Sequence, residues 1–160
     1  MYTTTQIAKH LREVYFGGNW TASNLRKHLV GVTWEEATTQ IESFNSIATL
    51  VFHMHYYVKA ATKVLEGGPL VAKDALSFNH PPINSGADWQ AFLEKTWEEA
   101  ETFAERLEAL PDTSLPAPFT NKVYGSYYRN LHGIIEHCHY HLGQIVLLKK
   151  LLQTRHESCI

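Results

Sequence analysis

Apolar residues recur along most of this chain at three- and four-residue spacing. No stretch alternates apolar with polar residues over any length, so the pattern predicts helices and no sheet. The first period covers Thr3 to Phe16, with Ile7, Leu11, Val14 and Tyr15 on one face. Thr3, Thr4 and Thr5 offer N-caps, and Gly17-Gly18 end the helix. Asn19-Trp20-Thr21 reads as a turn, with Trp20 expected as a plug of the core. Ser23 is expected to cap a single turn, Asn24 to Val30, closed by Gly31. Thr33-Trp34-Glu35-Glu36 has the form of a capping box. The helix it starts is expected to run unbroken to Glu66, where Gly67-Gly68-Pro69 stop it. Its centre, Ile47 to Val58, is apolar almost all round, as in a helix packed on several sides.

Pro69 to Gly86 contains Pro81-Pro82 and predicts a loop, long enough to wall a pocket. Ser85 or Asp88 then caps a third helix, whose apolar face carries Trp89, Leu93, Ala100, Phe103 and Leu107. The opposite face, Glu94, Glu98, Glu101, Glu105 and Glu108, reads as solvated surface. Pro111 ends this helix, and a second loop with Pro116 and Pro118 follows. The last period runs from Tyr127 to Leu152, and the polar tail beyond it is expected to fray. Four helices and three connections, two of them long, predict an all-α four-helix bundle, with residues 1–160 as a single domain.

The chemistry lies in the last helix. With His141 at zero and about 100 degrees per residue, His137, Ile134, Cys138, Ile145, Leu148 and Leu152 all fall within about 60 degrees of it. His132, His139 and Lys150 fall on the opposite side. Two imidazoles thus sit in the middle of an apolar stripe, where each ring nitrogen needs a partner. A single buried His is more often a hydrogen-bonded core residue than a ligand. A His pair four residues apart on one helical face is also a recurrent metal-ligand spacing. Gln144, about 60 degrees from His141, either supports such a site or is a half-exposed edge residue. A third ligand has to come from elsewhere, and His53 and His55 both lie mid-helix in the Ile47 to Val58 segment. They stand about 200 degrees apart, so only one can face the pair, and periodicity does not choose.

Composition narrows the remaining classes. Apolar residues make up 44% of the chain and charged residues 19%, which is ordinary for a globular protein. A net charge of −2 gives no nucleic-acid footprint, and no apolar run approaches a membrane span. Cys138 and Cys159 provide no disulfide framework, which fits a reducing cytoplasm. There is no GxSxG, Walker loop, dinucleotide GxGxxG or HExxH. Three His ligands leave coordination positions open, the arrangement of a catalytic metal. Two other readings stay open: a non-catalytic small-molecule or metal-binding bundle, and a structural bundle whose His pair without metal.

The segment His137-Cys138-His139-Tyr140-His141-Leu142-Gly143-Gln144-Ile145 resembles the last-helix motif of the DinB/YfiT-like superfamily. The order of elements fits as well, over essentially the whole chain. The resemblance implies a metal held by His137 and His141. It also implies a third ligand from a Leu-x-x-His-hydrophobic motif, which falls on Leu50 to Met54 and so on His53. Zinc or nickel commonly fills such sites, and dimers are frequent. The superfamily contains thiol-dependent S-transferases and isomerases that use low-molecular-weight thiols, and members labelled metal-dependent hydrolases. A small-molecule substrate, a possible low-molecular-weight thiol co-substrate and a homodimer are the partners it implies.

Overall fold

The computed structural model describes residues 2–157, with side chains through Thr154. Among the described residues there are six α-helices and no named strand: α1 Thr3–Phe16, α2 Leu25–Leu29, α3 Trp34–Thr38, α4 Ile47–Leu65, α5 Gly86–Ala109 and α6 Tyr127–Glu157. Four of them form the bundle. α1 packs on α5 and α6, and α4 packs on the same two, so the cyclic order is α1, α5, α4, α6. The expected all-α bundle is therefore the fold. Its core runs the length of the molecule through Leu11, Tyr15, Met54, Val58, Phe103, Leu107, Leu131 and Ile145. Among the described residues no helix is long and apolar enough to cross a membrane.

The expected long second helix is two elements. The Thr33/Glu36 capping box forms, but α3 ends at Thr38. The hydroxyls of Thr38 and Thr39 turn back to the carbonyls of Trp34 and Glu35, which closes the helix from within. Glu42 then takes a positive φ of 50°, and Ile41 anchors the turn in the core. Ser46 restarts the chain as the N-cap of α4, accepting from the Thr49 amide at 3.2 Å. The stop at Gly67 is as expected.

Other local expectations are corrected in the same way. Trp20 is 99% exposed rather than a core plug. The buried member of that turn is Asn19, whose side chain bonds both the amide and the carbonyl of Ser23 and leaves Trp20 outside. Asn24, not Ser23, caps α2. The threonines do not cap α1. Its first amides, on Thr3 and Thr4, donate to the Asp112 carboxylate at 2.8 and 2.9 Å, from the loop after α5. Ser85 is the cap of α5. On the acidic face of α5, Glu101 and Glu108 both receive the Arg12 guanidinium, so that face is partly an α1–α5 contact. α6 continues past Leu152 to Glu157, and Cys159 lies outside the described residues.

Candidate metal centre

α4 and α6 are neighbours in the bundle, and their facing stripes carry His53 and the His137/His141 pair. One turn of α6 separates His137 from His141, so the two rings point the same way. The three Nε2 atoms converge. His137 Nε2 lies 3.1 Å from His53 Nε2 and 3.0 Å from His141 Nε2. The ligand atoms of all three residues lie within 4.8 Å of one another. Two ring nitrogens sharing an ion at about 2.0–2.1 Å stand roughly 2.8–3.4 Å apart for angles between octahedral and tetrahedral. The two spacings from His137 fall inside that range.

The outer nitrogens decide which tautomer each ring holds. The Ser77 hydroxyl donates to the Asp74 carbonyl at 2.6 Å, so its oxygen accepts from His53 Nδ1–H at 2.7 Å. Gln144 Oε1 accepts from His141 Nδ1–H at 2.6 Å. Both rings therefore aim a bare Nε2 lone pair at His137. A single proton on His137 Nε2 can satisfy only one of them. A cation at the centre satisfies all three, and three imidazoles are a donor set for a divalent metal. The residues present thus fit a divalent metal, with Ser77 and Gln144 orienting two of the ligands.

The surroundings keep the rings neutral. Phe78 stacks on His53 with ring centroids 4.1 Å apart, and Tyr57 sets its edge against His53 and His137 at 5.3 and 5.2 Å. Burial, reinforced by the neighbouring imidazoles His141 and His53, lowers the His137 pKa to about 4. Burial also lowers His53, followed by the effect of His141, and lowers His141 against the opposing hydrogen bond of Gln144. Neutral imidazole is the metal-binding form.

A cavity of about 470 Å³ opens beside His53 and His137, lined by Tyr57, Asp74, Arg129, Asn130 and Glu136 among others. The Tyr57 hydroxyl donates to Asp74 Oδ1 at 2.6 Å across it. The loop from Pro69 to Gly86 does wall this site, through Asp74, Ser77 and Phe78. Sequence reasoning singled out none of those three. A loop residue's reach carries no periodic signal.

The other histidines with described side chains stay outside. His55 turns to α5 and donates Nε2–H to Glu99 Oε2 at 2.6 Å. His132 packs on Tyr128 and His139 on His10. Glu136 and His139 have the Glu-x-x-His spacing used by di-iron bundles, but His139 points away from the cluster.

A protein-family model described as DinB superfamily matches residues 19–145, a span that includes all three converging histidines. No curated protein and no solved structure matches the chain.

Proposed function

The chain belongs to the DinB superfamily, and on that premise we propose that it is a metal-dependent enzyme acting on a small molecule, of thiol S-transferase or hydrolase type. The metal ligands in this reading are His53, His137 and His141. The observation that carries it is the pair of oriented Nε2 lone pairs converging on a third imidazole. A zinc or nickel ion held there lowers the pKa of a thiol or water brought to it and so supplies a nucleophile near neutral pH.

The chain's own residues do the rest. Ser77 and Gln144 fix the ring tautomers, and Phe78 shields His53 from water. The cavity receives the substrate beside His137. Arg129, which spends one donor on the Tyr124 carbonyl, has others left to orient an anionic group. Tyr57 stands at the cavity wall with its proton held by Asp74, and burial with that bond raises its pKa, which keeps it a proton donor. The reading includes a cytoplasmic protein that works as a homodimer.

The test is a turnover screen of untagged protein, loaded with zinc or nickel and compared with chelator-treated protein. One arm offers low-molecular-weight thiols with alkylating electrophiles, the other small esters and amides. Metal-dependent turnover in either arm is expected. Metal uptake with no rate above the metal-free control favours a non-catalytic binding bundle.

A further inference from the structure

On the opposite side of α4 from the histidine cluster lies a second cavity, of about 270 Å³, between α4 and α5. It shares no lining residue with the cavity beside His137. Its lining includes Phe52 and Phe92, whose rings stack with centroids 6.5 Å apart, and Val71 and Pro81 of the Pro69 to Gly86 loop. The lining is mostly apolar, and within it Lys59 and Lys95 converge on Glu99.

The charged part of the lining is unbalanced. Lys59, Lys63 and Lys95 reach the cavity, and among the described residues Glu99 is its only carboxylate. Glu99 is already engaged: its Oε2 accepts from buried His55, and its Oε1 lies 3.4 Å from the Lys59 ammonium and 4.0 Å from that of Lys95. Lys63 has no acidic partner within ion-pair reach among the described residues. Three ammonium groups therefore face one committed carboxylate, in a chain whose net charge is −2. An apolar cleft with a few convergent charges is the form of a small-ligand site.

We propose that this cavity is a second ligand site, for a small amphipathic carboxylate whose apolar body lies along the Phe52 and Phe92 rings and whose head meets lysines of the lining, Lys63 and Lys95. Its volume suits a ligand smaller than most drugs. Lysine suits the head because it acts as a mobile point charge and keeps its stem along the apolar wall. The site is independent of the metal reading. The two share only α4 and the loop, which contributes Asp74 and Ser77 to one face and Val71 and Pro81 to the other.

The probe is sodium octanoate titrated calorimetrically into the full chain, with 1-octanol as the uncharged control. Saturable binding of octanoate at about one per chain is expected, with octanol weaker by about tenfold or more for want of the charge. Lys63→Gln with Lys95→Gln removes exposed ammonium groups only, and circular dichroism checks that the fold is kept. The double variant should weaken octanoate by about tenfold and leave octanol within about twofold. His53→Ala should leave octanoate binding unchanged. No saturable binding, equal affinity for octanol, or indifference to the lysine pair overturns the proposal. So does loss of octanoate binding in His53→Ala, because the carboxylate would then be anchored at the histidine cluster.

Discussion

Ser77 reaches His53 from the loop after α4 with its own proton already committed to the Asp74 carbonyl. Ser77→Ala removes the acceptor that holds His53 Nδ1–H, so the ring is free to turn the wrong nitrogen inward. Metal affinity should fall about ten- to a hundredfold, the scale for partners that orient a ligand, as read by chelator competition. An affinity within twofold of the parent would show that the tautomer is set elsewhere. Protonation works at the same scale. The His137 pKa is lowered from 6.5 to about 4, and His53 and His141 move the same way. The unfolded chain therefore binds more protons than the native one between those values, and stability falls as pH drops through that window. Chelator-treated protein should show urea midpoints that decline from pH 6.5 toward pH 4, with a shallower decline in His137→Asn. An unchanged slope in the variant would mean that carboxylates alone govern the acid limb. Which residues were legible in the sequence follows from the same physics. His137 and His141 share a helical face, and spacing alone reveals that. His53 and His55 differ only in which neighbour each meets, and that is set by packing against α6 and α5 rather than by either residue's position in the period.

α4 begins at Ser46 rather than at the Thr33 capping box, and this start sets where His53 points. Two capping signals lie in series there. The first is strong locally, but Thr38 and Thr39 turn their hydroxyls onto its last carbonyls and end it after five residues. The apolar periodicity continues across the break through Ile41 and Ile47, which is why the pattern reads as one helix. Ser46 is buried and bonds the Thr49 amide at 3.2 Å, so Ser46→Ala should cost about 1 kcal/mol in urea unfolding. A cost near zero would mean that packing of Ile47 alone fixes the start. α1 shows the complementary case. Its cap is Asp112, more than a hundred residues away along the chain, and no local pattern can announce a cap of that kind. The burial-driven features, the apolar faces of α1, α5 and α6, were all readable, because each repeats many times along its helix. The single-residue devices were not.

At the scale of the molecule, the apolar surface of α4 is used internally, against α5, α6 and the Pro69 to Gly86 loop, so it leaves no face for a second copy. Of the exposed apolar groups, three share a face of α6, where Tyr140, Leu147 and Leu151 are 65%, 59% and 39% exposed. They fall within about 20 degrees of one line on the helix, and Phe44 stands beside Leu147 and Leu151 at the rim of a shallow cavity. If the chain is a homodimer, this is the surface that requires covering. Light scattering at micromolar concentration should give a dimer for the parent chain and a monomer for Leu147→Glu with Leu151→Glu. A monomeric parent would remove the dimer from the account. The three-histidine centre is the claim on which the rest depends, and one titration addresses it directly: competition with a chromophoric chelator for zinc, on the parent chain and on His53→Ala, His55→Ala, His137→Ala and His141→Ala, with circular dichroism to confirm folding. The account predicts about one ion per chain, a loss of at least about tenfold in affinity for His53, His137 and His141, and a change of no more than a few fold for His55. Failure of the parent chain to take up metal, or loss of binding in His55→Ala with retention in His53→Ala, would contradict it.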